Sequence, residues 1–280
     1  MLMKKLNHPS NLKMKKIKKY IREPRELKNL KYLLQLAPSL IPSIEIITDD
    51  YYVMEKCEVI EPEDLEPANF YKLYAELLMP LHKFKRKSFT PGIYKYFAPY
   101  SLKREVKEQH YVPYVMNEFE KIVRDVSVRF SGLLEDVMFT NLVKYLKNIS
   151  KYFENWQPQT GYSLLHGDLH IGNIVKKGNN YLLVDFEYLR YGAAELEVAN
   201  LVISSLIYYY KENFDDKELN NLVAKYLQVC GKLPKIDNKL FKFLFIFSLS
   251  LNYCSSYLRE KENDLDGIQK IAKQILSNKL

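Results

Sequence analysis

Apolar positions along this chain follow two different periods, and the change between them divides it. Leu2 to Leu6 and Leu12 to Ile17 are short segments separated by the turn formers Asn7, His8, Pro9, Ser10 and Asn11, which predicts a hairpin. In its second arm Leu12, Met14 and Ile17 line one side, and period two places Lys13 and Lys15 together on the other. From Glu23 onward Leu27, Leu30, Leu33, Leu34 and Leu36 recur at helical spacing, and the helix must end before Pro38. Ile44 to Ile47 and Tyr51 to Met54 then read as two strands around the polar turn Thr48-Asp49-Asp50. The predicted order is strand, strand, helix, strand, strand.

After Glu55 the texture changes. Ile60 to Pro67 is acidic and carries proline, which reads as a linker, and Phe70 to His82 has a helical pattern. Residues 88–100 are irregular. Helical patterns return over about 102–125 and 133–155, and a glycine-punctuated segment covers 161–192. The remainder is helical over about 195–212, 216–230, 238–259 and 264–277. The most apolar stretch, Phe243 to Cys254, spans about 12 residues where a membrane span needs about 20, and Ser248, Ser250 and Asn252 interrupt it. It reads as a buried helix. No internal repeat and no low-complexity segment is present.

Composition narrows this picture. A chain of 280 residues with 47% hydrophobic and 27% charged positions is an ordinary globular protein with length enough for a substantial core. Three cysteines, Cys57, Cys230 and Cys254, are too few and too scattered for a disulfide framework or a zinc cluster. With no apolar leader behind Met1, the expectation is a cytoplasmic, reducing setting. Residues 1–31 carry eleven Lys or Arg against Glu23 and Glu26, a net +9, while the whole chain is at +8. All the excess charge is therefore N-terminal. Such a block attracts an anionic partner or nucleotide phosphates, or is simply a solvated face. The first of only 9 glycines is Gly92, so residues 1–91 cannot contain a glycine-rich phosphate loop.

The chemistry is concentrated in residues 161–192, which read GYSLLHGDLHIGNIVKKGNNYLLVDFEYLRYG. Ser163 to Leu165 and Ile174-Val175 are short strands flanking a polar loop, and Tyr181 to Val184 makes a third that ends at Asp185. His166, Asp168 and Asn173 share one loop at the spacing H-x-D-x-x-x-x-N, with Asp185 twelve residues further on. Phosphoryl transfer asks for this set. It needs Mg²⁺ held on the phosphates and a hydroxyl aligned by a carboxylate that receives its proton. Mg²⁺ takes hard oxygen ligands, which an Asn and an Asp on adjacent strand ends supply, and the second Asp in the loop is left to orient the hydroxyl. Glu187 is either a carboxylate supporting this site or an ordinary surface acid.

The run HGDLHIGNI followed by LVDFEYLRYG resembles the aminoglycoside phosphotransferase and choline kinase family, with Ile171 where that family commonly has proline. The resemblance implies an α+β, bilobal, protein-kinase-like fold. Its parts would be a truncated β-rich N-lobe over residues 1–58, covering the nucleotide, and a mostly helical C-lobe over 59–280, carrying the catalytic and metal-binding loops. It implies Asp168 as catalytic base, Asn173 and Asp185 as Mg²⁺ ligands and His166 as support of the loop. Glu197 stands where the family has a structural Asp, and His82 closes a Leu-His helix like the family's own. Leu12-Lys-Met-Lys15 matches the pattern of the phosphate-contacting lysine, which makes Lys15 the choice over its rivals Lys13, Lys16 and Lys18, and Glu26 its pairing glutamate. Met54 to Cys57 would be the hinge, so that Glu55 and Cys57 offer backbone groups to adenine. In the absence of a glycine loop, either the turn Asn7 to Asn11 covers the phosphates with backbone N–H groups or nucleotide binding is weak or lost.

The expected activity is phosphorylation, with ATP and Mg²⁺ as cofactors, of a hydroxyl on a small choline-, aminoglycoside- or sugar-like acceptor. The alternatives are a pseudokinase or nucleotide-binding scaffold with a basic N-terminus, and a kinase acting on protein or polysaccharide. The 23 tyrosines suit a quaternary ammonium acceptor through cation–π contact, though a Lys-, Tyr-, Ile- and Asn-rich composition supplies many tyrosines by itself. Glu55, Glu58, Glu61, Glu63 and Asp64 would suit a polycation.

Overall fold

The computed structural model describes residues 16–21, 24–91, 110–210, 216–259 and 262–277. The hairpin expected before Lys16, and with it the Lys15 reading, lies outside the described residues. The remaining order follows the expectation: strand β1 (Lys16–Tyr20), helix α1 (Pro24–Leu36), β2 (Ile44–Ile47) and β3 (Tyr51–Glu55). These strands form an antiparallel sheet of order β1-β3-β2, with Lys16 opposite Glu55 and Lys19 opposite Tyr52. Leu27, Leu30 and Leu33 bury one stripe of α1, as their spacing requires.

The acidic segment expected as a linker is an ordered tie instead. Strand β4 (Glu58–Val59) pairs with a later strand of the second half, and a 3₁₀ turn follows over Pro62–Leu65. Asp64 accepts the Glu61 amide at 3.1 Å and the Tyr181 hydroxyl at 3.0 Å, and it is paired with Lys176. Its carboxyl is held below the usual range: burial works the other way, but the Lys176 bond and the donors from Glu61 and Tyr181 outweigh it. One of the acidic residues that suggested a linker, Asp64, is therefore used in fastening the segment, while Glu61, Glu63 and Glu66 stay exposed.

Helix α2 (Pro67–Leu73) continues through a wide π-turn at Tyr74–Leu78 into α3 (Met79–His82). Pro80 explains the turn, since its ring cannot accommodate the carbonyl of Glu76 in a regular helix and it has no N–H to donate. Strand β5 (Lys85–Arg86) follows, then α4 (Tyr111–Arg129), α5 (Gly132–Glu135) and α6 (Val137–Ser150). The next segment holds β6 (Tyr162–Leu165), β7 (Ile174–Lys177), β8 (Asn180–Leu183) and β9 (Arg190–Gly192). They complete two more antiparallel sheets, β4-β7-β8 and β5-β6-β9.

Four helices close the chain: α7 (Ala194–Tyr210), α8 (Asp216–Cys230), α9 (Asn238–Arg259) and α10 (Glu262–Ser277). Helix α9 is the centre of this half, packed on α7, α6, α10 and α4. Phe241, Phe243, Phe245 and Phe247 are all buried although they point in different directions around its axis, which is what an all-round apolar helix requires. Among the described residues no helix is long and apolar enough to cross a membrane. Asp136 fastens the far corner: one carboxylate oxygen caps α6 by accepting the amides of Met138 at 2.9 Å and Phe139 at 3.1 Å. The other accepts the Tyr257 hydroxyl at 3.2 Å and Gln269 Nε2 at 3.1 Å, together with the Tyr253 hydroxyl. A small β-rich N-terminal part and a mostly helical remainder make the fold α+β and bilobal. One continuous apolar core runs through both, from Leu30 and Tyr52 to Ile275.

Candidate active site

Strand β6 is buried along its whole length and delivers His166 at its end. The chain then turns at Gly167, whose φ of +86° and closeness to the Tyr188 carbonyl exclude a side chain: a Cβ there would lie 2.0 Å from that oxygen. His166 Nε2 donates to the Val184 carbonyl at 2.9 Å, so its Nδ1 is left to accept the Asp168 amide at 3.4 Å. One imidazole thus ties the loop to the residue before Asp185. Asn173 closes the loop from the other side. Its Nδ2 donates to the Asp168 carbonyl at 2.8 Å, and its own carbonyl accepts the Val184 amide at 3.1 Å. Asp168, Asn173 and Asp185 are brought together in this way around His166 and Val184. Asp185 itself takes the left-handed φ of 71°, a conformation that Asp tolerates better than most residues. His170, within the loop, has its Nε2 3.9 Å from Asp168 Oδ2.

Glu197, in the first turn of α7, holds the loop from below. Its Oε1 accepts the Gly167 amide at 2.9 Å and its Oε2 accepts His82 Nε2 at 2.9 Å. Burial alone would raise this carboxyl, but the His82 bond leads a set of favourable contacts that hold it below the usual range. His82 is buried and its Nδ1 has no hydrogen-bond partner. Glu195, two residues earlier on the helix, accepts the Asp237 amide at 2.9 Å, and burial pushes its carboxyl up.

On the N-terminal side, among the described residues, the lysine that reaches Glu26 is Lys19. Its Nζ lies 2.8 Å from Glu26 Oε1 and 3.3 Å from Asp185 Oδ1. Among the rivals of Lys15, Lys16 pairs with Glu45 at 2.6 Å and Lys18 lies 3.6 Å from the centre of the Tyr51 ring. The physical reason is register: β1 runs to Tyr20 rather than ending at Ile17, and alternation turns Lys19 to the side of Tyr52 and α1. Glu26 is almost fully buried and also accepts the Tyr52 hydroxyl at 3.1 Å, whose ionisation burial and then Glu26 suppress.

The side chains of Glu55 and Cys57 are engaged elsewhere. Glu55 accepts the Ser43 amide at 2.8 Å and pairs with Lys177 at 2.7 Å. Burial opposes its ionisation, but the Lys177 and Ser43 bonds prevail and its carboxyl is held low. Cys57 Sγ lies 4.0 Å from the Glu55 carbonyl, and burial pushes the thiol up. All three cysteines are free. Glu187 is half-buried beside Asp185, and burial followed by the Asp185 charge raises its carboxyl. A residue that the sequence reading missed is Asn29, which is buried on α1 and donates its Nδ2 to the Phe186 carbonyl at 2.7 Å and the Glu187 carbonyl at 3.3 Å. The available signal was a polar residue one turn beyond Glu26 inside a leucine stripe.

The profile of the phosphotransferase enzyme family matches residues 21–236, well over half of the chain. No curated protein matches the sequence. Among solved structures, a glucosamine kinase superposes with a TM-score of 0.61 at 13% identity, over 94% of this chain and 74% of that one. The choline kinase LicA from Streptococcus pneumoniae gives 0.54 at 13% identity, over 96% and 88%. A thermostable mutant of aminoglycoside phosphotransferase APH(4)-Ia, in ternary complex with AMP-PNP and hygromycin B, gives 0.57 at 11% identity, over 90% and 82%. At such identities the likeness is one of fold, protein-kinase-like throughout, and the sequence match supplies the rest: this chain belongs to the phosphotransferase enzyme family.

Proposed function

We propose that this protein is an ATP- and Mg²⁺-dependent kinase that phosphorylates a hydroxyl of a small choline-, aminoglycoside- or sugar-like molecule. The observation that carries the reading is the joining of the Asp168–Asn173 loop to Asp185 through His166 and Val184, with Lys19 bridging from Glu26 to Asp185. Residues 1–58 would cover the nucleotide and residues 59–280 carry the catalytic and metal-binding loops, with backbone groups around Glu55 and Cys57 meeting the adenine.

The donor set fits Mg²⁺. Asn173 uses its amide nitrogen on the Asp168 carbonyl, which leaves its side-chain oxygen as a hard ligand beside the Asp185 carboxylate. Among the described residues no group of three His, Cys, Asp or Glu forms a metal cage, so phosphate oxygens would complete the shell. Held by Asn173 and Asp185, Mg²⁺ would supply neutralisation of the phosphate charge. The protein's own share is positioning. Asp168, mostly shielded from solvent, aligns the acceptor hydroxyl and takes its proton as the oxygen attacks phosphorus. Lys19 holds the α and β phosphates and Glu26 keeps the ammonium in place. Glu197 and His166 fix the loop from which Asp168 acts.

Thermal denaturation with ATP, with and without Mg²⁺, tests the reading. A ligand at a hundredfold excess over its Kd stabilises by about 2.7 kcal/mol. Metal-dependent stabilisation, with ATP consumed on one of choline, ethanolamine, glucosamine or an aminoglycoside, is the expected result. A scaffold without turnover is the second reading, favoured by the lack of any glycine in residues 1–91. Metal-dependent binding with no acceptor consumed across the panel would decide for it.

A further inference from the structure

We propose that Asn29 is a positioning residue for Asp185: by donating to two successive backbone carbonyls just after it, Asn29 fixes the left-handed turn at Asp185 and couples it to the helix that carries Glu26. The inference rests on the kinase reading for what Asp185 does, but the coupling itself stands on contacts alone. Asn29 is 6% exposed and sits one helical turn beyond Glu26. A buried amide costs free energy unless its donors are used, and here one –NH₂ group serves the carbonyls of Phe186 and Glu187. The Phe186 carbonyl already accepts the Leu189 amide at 3.3 Å, so Asn29 fills its second lone pair and braces a tight turn from outside.

Asn29 does not act alone along this face. The Arg25 guanidinium lies 5.3 Å from the Tyr188 ring centre, and Tyr32 and Tyr191 share a hydroxyl–hydroxyl bond of 2.8 Å. Helix α1 therefore docks along residues 186–191 through directional polar contacts, which fix a register more sharply than apolar packing does. Lys19 bridges Glu26 and Asp185 on the same side. A shift of α1 would move both partners of that lysine relative to each other, and the Asn29 bonds are what oppose the shift at the Asp185 end. Asp185 needs such a restraint, because a non-glycine residue at φ 71° is held by its surroundings rather than by its own preference.

The test uses the full chain as Asn29→Leu, which removes both donors, and Asn29→Asp, which keeps the shape and offers only acceptors to two carbonyls. Should Asn29→Leu not fold, Asn29→Asp carries the comparison. In the protein alone, amide hydrogen exchange over residues 184–190 is expected to quicken about tenfold or more, with helices α7 and α9 unchanged. In thermal shifts with ATP, the Mg²⁺ concentration for half the stabilisation is expected to rise about tenfold, while the shift with ATP in EDTA stays at the wild-type value. Wild-type exchange over 184–190 in a folded variant overturns the coupling. Faster exchange with an unchanged Mg²⁺ requirement also overturns the proposal, since Asn29 would then be only a structural contact. If the wild-type protein shows no Mg²⁺-dependent shift, the kinase reading falls, and exchange alone then decides whether Asn29 holds the Asp185 turn.

Discussion

Two partly or wholly buried carboxylates organise two regions of this molecule, and they differ in what they hold. Glu197 joins His82 to the Gly167 amide and so supports the loop that carries Asp168. Asp136 caps α6 and gathers Tyr253, Tyr257 and Gln269 from α9 and α10. Both are held below the usual carboxylate range against the effect of burial, Glu197 chiefly by the His82 bond and Asp136 chiefly by the Tyr253 bond. A depressed carboxyl is therefore no signature of chemistry by itself. The backbone that the carboxylate fixes decides whether the region is structural or lies beneath a reacting centre.

The largest expected effect breaks the comparison at the reacting group. Asp168→Asn should lower kcat by about 10² to 10⁴, with an unchanged melting curve, as read by coupled ADP release. Next comes Glu197→Ala, which strands a buried imidazole and a buried amide and should destabilise by about 3–5 kcal/mol in urea titration. The surviving folded fraction should also lose turnover. Asp136→Ala should lose about 2 kcal/mol, from a helix cap and a shared hydroxyl network, with kcat per folded molecule as in the wild type. Equal losses of turnover in the two variants would erase the distinction between the regions.

The smallest effect is the pH slope. A depressed folded pKa adds stability above the unfolded value, which is lost as pH falls through the folded one. Stability should therefore decline from about pH 4 downward, where unfolded carboxyls take up protons first. Asp136→Asn should flatten that acid limb, as followed by the urea midpoint against pH.

How much was legible in the sequence follows from the range over which each feature is set. His166, Asp168, Asn173 and Asp185 are local: one loop and the next strand end fix their spacing, so the cluster could be read directly. The helices after residue 194 were equally readable, because long apolar periodicities determine them. Glu26 was readable from its place at a helix start. The partner of Glu26 was less legible. Lysines crowd the sequence from Lys13 to Lys19, Lys15 lies outside the described residues, and among those described it is pairing with β3, Lys19 opposite Tyr52, that brings Lys19 to Glu26. The acidic tie at Asp64 was hidden for a similar reason, since its partners Lys176 and Tyr181 lie more than a hundred residues away. A lone polar residue in a leucine stripe marks the place of Asn29 but not its partners, which are backbone carbonyls more than 150 residues away.

The wide turn at Tyr74–Leu78 has an effect on angular phase. A helix advances about 100° per residue, so one surplus residue absorbed in a widened coil rotates everything after it by roughly that angle. The bearing of His82 toward Glu197 is thus set in a turn that ends four residues upstream, at Leu78, beside a proline, Pro80, that forbids an ordinary coil. Removing a single residue from 74–78 would swing the imidazole off α7 without touching it, which makes that stretch a timing element for the anchor beneath Asp168.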